Sequence, residues 1–219
     1  MNNSAIILLS GGLDSFVSLD MAKEKYDIKL SLTFDYGQKA FNEEKEASQK
    51  ISKYYNIENK IVELPFLKEI LDNSLTNKDK NNFDDFSEIY IPNRNGLFLN
   101  IAAVYCEKIG AKYIIFGANK EEAKVFSDNS SEFVQLADKF FNYSTQINPK
   151  IVAPCIEFDK IQIINYAINK NMPFSYLKSC YDSKNYTNKK HCGECMSCKL
   201  LKQAILKSNK KELIQEVFK

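Results

Sequence analysis

The sequence predicts an α/β fold, a doubly wound parallel sheet followed by a small C-terminal cysteine-rich module. Three observations predict it. Short apolar runs rich in Ile and Val alternate with helix-spaced segments along most of the 219 residues. A Gly/Ser turn, Ser10-Gly11-Gly12-Leu13-Asp14-Ser15, stands between the first apolar run and the first helix. After Asn171 the alternation stops, and four of the six cysteines fall between Cys180 and Cys198. The chain therefore divides into an α/β part over residues 1–170 and a loop-rich module with helices over residues 171–219.

The elements follow in order. Residues 5–9 form the first strand. Leu13, Phe16, Val17 and Met21 are then spaced as one helical face, which predicts a helix over residues 15–26. Further strands are expected at residues 28–34, 60–64, 113–116 and 151–153. Helices are expected at residues 42–55, 94–108, 131–142 and 160–169. The second of these puts Leu97, Ile101, Val104 and Tyr105 on one side. Residues 72–87 break the alternation. Their polar centre, residues 77–82, lacks periodicity and reads as a mobile surface loop, a solvated insertion with a gate over the active site as the alternative. A helix begins near Ser197, and Asn209 with Glu212 has capping-box spacing for a last helix ending near Phe218. In such a fold ligands sit at the carboxyl ends of the strands, where the turn of residues 10–15 lies.

Composition narrows the class. Apolar content of 44% and charged content of 26% are ordinary for a globular protein. The net charge of +2 is not the signature of a nucleic-acid binder. The longest apolar runs are about five residues, far below the ~20 needed to span a bilayer. The first residues lack a basic signal region, so a cytoplasmic address is expected.

The turn carries the first chemistry. Backbone N–H groups at a helix start lack intrahelical partners, and the helix dipole adds partial positive charge, so a phosphate fits there. The two glycines let the backbone approach the anion, and Ser10 and Ser15 add hydroxyl donors. Asp14 suits a Mg2+ ion at that phosphate. Neither G-x-x-x-x-G-K-[ST] nor G-x-G-x-x-G is present. S-G-G-x-D-S resembles instead the pyrophosphate loop of ATP pyrophosphatases, which split ATP into AMP and pyrophosphate to activate a substrate.

The cysteines carry the second. Cys180, Cys192, Cys195 and Cys198 have the spacing C-x11-C-x2-C-x2-C. Four thiolates close a tetrahedral shell, so structural Zn2+ is expected, with an iron–sulfur cluster as the rival and two disulfides as a third reading. His191 adjoins a ligand but is not needed as one. Cys106 and Cys155 read as core residues.

The two motifs together resemble the QueC family of 7-cyano-7-deazaguanine synthases, and further matches run along almost the whole chain. Asp35-Tyr36-Gly37-Gln38, followed by Glu43 and Glu44, is similar to the family's D-Y-G-Q segment. Ile91-Pro92-Asn93-Arg94-Asn95 is similar to its V-P-x-R-N. Gly117-Ala118-Asn119 resembles its G-x-N, and Ala153-Pro154 with Lys160 resembles its A-P-L…K. Ser127-Asp128 before Glu132-Phe133 falls where the family has P-D-C-R-x-E-F. Ser179-Cys180-Tyr181 and the Cys192–Cys198 run resemble S-C-Y…C-G-x-C-x-x-C. Lys178 stands where the family usually has Trp, Asn129 and Ser130 replace its Cys-Arg, and Val125-Phe126 replaces its Gly-Tyr.

The resemblance implies an adenine nucleotide alpha hydrolase-like, Rossmann-like fold and an ATP-dependent ligase. The enzyme converts 7-carboxy-7-deazaguanine and ammonia to the nitrile through an adenylated acid and an amide. It places Leu9, Ser10, Gly11, Gly12, Leu13, Asp14 and Ser15 at ATP, with Asp35 and Gly117. Tyr36, Gln38, Arg94, Asn119 and Asp128 fall to the substrate. Asp14, Ser15, Arg94 and Lys160 fall to catalysis, with ATP, Mg2+ and structural Zn2+ as cofactors. It also implies a homodimer, ammonia drawn from solution or a separate protein, and no nucleic-acid or membrane partner. Two alternatives stay open: a related ligase that adenylates another carboxylate or uses a different amine, and a tRNA-modifying enzyme with the same loop.

Overall fold

The computed structural model describes residues 2–182 and 190–218. The order is β1 (Ser4–Leu8), α1 (Leu13–Ala22), β2 (Asp27–Asp35), α2 (Phe41–Tyr54), β3 (Glu58–Glu63), α3 (Pro65–Ile70), α4 (Phe86–Ile89), α5 (Arg94–Ile109), β4 (Tyr113–Ile115), α6 (Lys120–Ala123), α7 (Ser131–Ser144), β5 (Lys150–Val152), α8 (Lys160–Asn169), α9 (Met196–Leu206) and α10 (Leu213–Val217). Single 3-10 turns lie at Ser127–Asn129 and Phe174–Tyr176. The strands form one parallel sheet in the order β3-β2-β1-β4-β5.

That order reverses direction at β1. The chain runs outward from β1 to β3, then returns to β4 on the other side. Right-handed crossovers therefore put α1 and α2 on one face of the sheet and α5 and α7 on the other. The reversal opens a crevice at the carboxyl ends of β1 and β4. β1 reads as a central strand because it is one: Ala5, Ile6 and Ile7 are wholly buried. One apolar core runs from β1 through α1, α5 and α8 and takes in Leu201, Ile205, Leu213 and Val217 of the C-terminal segment. α8 packs on α1 and α9 packs on α8.

The expected strands and helices form, with shifted ends. α1 stops at Ala22 because the N–H groups of Lys25 and Tyr26 both turn back to the Ala22 carbonyl. α5 ends at Gly110, whose φ of +70° makes a left-handed stop. Three short helices, α3, α4 and α6, are too brief to show a period.

Two expectations are corrected. Residues 72–87 are not a solvated insertion throughout. Asn73, Ser74, Leu75, Thr76 and Phe83 are buried, and Asn73 Oδ1 accepts from the N–H groups of Leu75 and Thr76. The polar side chains close their own turn and let Leu75 and Phe83 reach the interior. The Asn209–Glu212 capping box does not form. Asn209 donates its N–H to Asn165 of α8, and α10 starts only at Leu213.

Candidate active site and metal centre

The turn after β1 is built for close approach. Gly11 has φ +82°, and a Cβ there would lie 2.6 Å from the Ala47 Cβ of α2. Only glycine fits both the conformation and the gap. A Cβ on Gly117, after β4, would lie 2.8 Å from the Ser15 backbone. Gly12 precedes α1 and has no side chain to cap it, so the first-turn N–H groups keep their donor capacity for an anion. Ser15 Oγ donates to the Gly12 carbonyl at 3.0 Å, and the Ser10 and Ser15 hydroxyls lie 3.2 Å apart.

Above the turn three charges meet. The Lys160 ammonium, at the first residue of α8, donates to Asp14 Oδ2 at 2.6 Å and to Glu122 Oε1 at 3.2 Å. Asp14 Oδ1 is buried and has no hydrogen-bond partner among the described residues. Burial raises the Asp14 carboxyl from its ordinary range, with Lys160 opposing. Burial acts against the Glu122 charge too, but Lys160 and Asn119 outweigh it and bring that carboxyl down. Burial disfavours the Lys160 charge, but the two carboxylates hold it ionised. An orphaned carboxylate oxygen over an anion-binding turn fits a hard cation such as Mg2+.

Asp14, Ser15, Arg94, Lys160, Leu9, Ser10, Gly12, Gly117, Tyr36 and Gln38 line one cleft together with Glu44, Glu122, Lys178 and Tyr181. Arg94 opens α5 behind Asn93, a left-handed residue with φ +55°. Burial pushes the Tyr36 hydroxyl up to about 12, with Arg94 acting against it. Phe34 stacks on Phe98 at 4.0 Å beside it. Gln38 is a scaffold: its amide donates to the Phe34 carbonyl and to Glu44, and its oxygen accepts from the Tyr36 N–H.

A second cavity adjoins the first and shares Arg94, Glu122, Asn129, Lys160 and Tyr181 with it. Its outer wall is aromatic. Tyr90 and Phe126 lie nearly parallel with centroids 6.0 Å apart, and Phe86 meets Phe126 edge-on. Asp128 lines this cavity and not the first.

Several expected site residues stand apart from these walls. Asp35 turns its carboxylate to the Gly37 N–H and lines neither cavity. Asn119 is fully buried and caps α6 by accepting from the N–H groups of Glu121 and Glu122. Gly11 and Leu13 shape the turn from beneath. Glu122 is the residue that the sequence reading passed over. It lies three positions after the Asn119 cap, where a glutamate reads as an ordinary capping-box partner.

The ligand atoms of Cys180, Cys192, Cys195 and Cys198 lie within 4.8 Å of one another, with 3.7 Å between the sulfurs of Cys192 and Cys198. A tetrahedral ion with bonds of ~2.3 Å needs sulfurs ~3.8 Å apart, so the cluster fits a metal. Gly193 at φ +80° makes the turn that sends the Glu194 and Cys195 N–H groups to the Cys192 sulfur. His191 is not a ligand: Nε2 accepts from the Ser179 N–H at 2.9 Å and Nδ1 faces the Val217 carbonyl at 3.2 Å. Burial holds its pKa down to about 4. The segment it braces touches the anion-binding turn, because the Lys178 N–H donates to the Gly11 carbonyl at 2.8 Å. Cys106 and Cys155 are wholly buried, and burial raises both thiols.

Comparison with known proteins identifies the family and the fold. The profile of the family described as queuosine biosynthesis protein QueC matches residues 4–209. A 7-cyano-7-deazaguanine synthase of Carboxydothermus hydrogenoformans is 43% identical over 212 residues, covering 91% of this chain and 97% of that protein. One from Methanosarcina barkeri is 41% identical, covering 89% and 90%. Among solved structures, an NMN synthetase from Francisella tularensis superposes with TM-score 0.51 at 15% identity, over 88% of this chain and 71% of that one. An NH3-dependent NAD synthetase from Campylobacter jejuni gives 0.50 at 16% identity, over 82% and 69%. These two likenesses concern the fold alone.

Proposed function

The chain belongs to the QueC family of queuosine biosynthesis enzymes, and on that premise we propose that it turns 7-carboxy-7-deazaguanine and ammonia into 7-cyano-7-deazaguanine with two ATP. The observation that carries this reading is the meeting of two cavities at one charged junction. One has an anion-binding floor and the other an aromatic wall, and Arg94, Glu122 and Lys160 belong to both.

In this reading residues 1–170 hold ATP and residues 171–219 form the metal module. The turn of residues 10–15 grips the β- and γ-phosphates through backbone N–H groups and the Ser10 and Ser15 hydroxyls. Asp14 would hold Mg2+, which when bound would supply positive charge beside the phosphates. The planar substrate lies against Tyr90 and Phe126, with Asp128 as acceptor for its N–H edge. Its carboxylate then points at the junction. Arg94 neutralises it with a planar fork and aims it at the α-phosphorus. The carboxylate oxygen bonds to that phosphorus and the bond to the β-phosphate oxygen breaks, giving the acyl adenylate and pyrophosphate. Lys160 steadies the charge on the oxygens that change hands. Ammonia adds to the carbonyl carbon, and AMP and a proton leave, giving the amide. The amide oxygen then bonds to the α-phosphorus of a second ATP, pyrophosphate and one N–H proton leave, and loss of AMP and the remaining N–H proton gives the nitrile.

The four cysteines would hold Zn2+ in this reading, and the bound ion would help fix the segment of Lys178 and Ser179 beside the turn. The protein acts on small molecules and forms a homodimer, without nucleic acid.

A mass-resolved product assay with Mg-ATP, ammonia and 7-carboxy-7-deazaguanine tests the proposal. Nitrile, AMP and pyrophosphate formed together support it. A second reading rests on Lys178 and Asn129, which line the first cavity where family members usually carry Trp and Cys. Folded, metal-loaded protein that makes no nitrile with this acid but turns over ATP with another carboxylate or amine would favour that reading.

A further inference from the structure

We infer that Glu122 is a positioning residue for Lys160, a second seat for its ammonium when Asp14 is engaged by a divalent cation. The inference rests on reading the turn as the ATP site. It starts from a charge count. Two carboxylates share one ammonium, and Asp14 keeps an oxygen with no partner among the described residues. Within this trio the balance is one negative charge, which favours a cation at Asp14, while the Arg94 guanidinium adds a positive charge on the Glu122 side.

The three side chains come from three elements, and their supports differ. Asp14 sits in the first turn of α1, over the anion-binding donors. Glu122 and Lys160 share a frame. Asn119 caps α6 through the Glu121 and Glu122 N–H groups, and the Lys120 N–H donates to the Phe158 carbonyl just before α8. The pair thus keeps its relative position while Asp14 changes partner. The bond lengths rank the seats: 2.6 Å to Asp14, 3.2 Å to Glu122. Glu122 is also the most open of the three, its side chain 36% exposed against 17% for Asp14 and 11% for Lys160. It stands where the two cavities join.

A cation on Asp14 would repel an ammonium left at 2.6 Å. With Glu122 present, Lys160 moves a short way and remains charged at the junction. Without Glu122, Lys160 has only Asp14 as a carboxylate partner among the described residues and competes with the cation for it. Loss of the Glu122 charge should therefore weaken the cation's hold and not that of the nucleotide alone.

The test is calorimetric and needs no turnover. Full-chain, metal-loaded protein is titrated with the α,β-methylene analogue of ATP at a series of Mg2+ concentrations. Glu122→Gln should raise the Mg2+ concentration at half-saturation about tenfold, with Mg2+-free binding of the analogue unchanged or tighter. Glu122→Asp should restore most of the Mg2+ dependence. An unchanged Mg2+ dependence in Glu122→Gln overturns the inference. So does a parallel loss of Mg2+-free and Mg2+-dependent binding, which would mean that Glu122 only holds the fold. If the unaltered protein does not bind the analogue, the ATP-site reading fails and this inference falls with it.

Discussion

Helices α1 and α8 are tied together at both ends by an aspartate, and the two ties are opposites. At one end Asp14 meets Lys160; at the other, Asp20 meets Tyr166. Asp20 is satisfied on all sides, accepting from Tyr55 at 2.7 Å and Tyr166 at 3.0 Å and pairing with Lys23 at 2.9 Å. Burial acts against its charge, yet these partners bring the carboxyl below its ordinary value. Asp14 shares its ammonium with Glu122, keeps one oxygen without a partner among the described residues, and has its carboxyl raised by burial. The same residue type on the same helix is completed at one end and left incomplete at the other. The difference teaches where function lies: a buried polar group left short of partners marks the place where a ligand is awaited.

Substitutions that swap the two characters test this. Asp14→Asn should reduce pyrophosphate release by about a thousandfold or more, since its role is confined to the reacting complex. Its melting temperature should be unchanged or higher. A carboxyl whose folded pKa is raised costs stability once ionised, so that cost is absent well below pH 3.8, grows as pH rises above it and is complete only above the raised folded value. A large fall in melting temperature would make Asp14 structural. Cys192→Ser should lose its metal and several kcal/mol of stability, read by metal analysis and thermal melting. Retained metal and melting temperature would contradict the assignment.

Asp20→Ala should do the reverse of Asp14→Asn. It leaves two half-buried tyrosine hydroxyls without their acceptor and should cost about 2 kcal/mol in denaturant unfolding, with turnover per folded molecule nearly unchanged. The acid limb sharpens the contrast. The Asp20 carboxyl lies below 3.8 in the fold, so its stabilisation is present above that pH and lost as pH falls through the folded value. That part of the acid slope should vanish in Asp20→Ala. Tyr166→Phe removes one of the two hydroxyl donors and should cost about 1 kcal/mol, the smallest effect.

Much of this was legible in the sequence wherever the chemistry is local. The turn of residues 10–15 and the Cys192-x-x-Cys195-x-x-Cys198 run each place their groups by short spacing alone. The Asp14–Lys160 tie was not legible as a contact, because 146 residues separate the partners and only the sheet order brings them together. Glu122 was hidden behind its capping position. Residues 72–87 misled because polar side chains that close a turn read like polar side chains in water. Asp35 shows the reverse limit: a motif position beside a site, with its carboxylate spent on the Gly37 N–H.

The most direct test is carboxylate-dependent exchange of labelled pyrophosphate into ATP, measured without ammonia on the unaltered protein, Asp14→Asn and Asp20→Ala. The account predicts exchange that requires 7-carboxy-7-deazaguanine, survives in Asp20→Ala and disappears in Asp14→Asn. Exchange that persists in Asp14→Asn, or none in the unaltered protein, would contradict it.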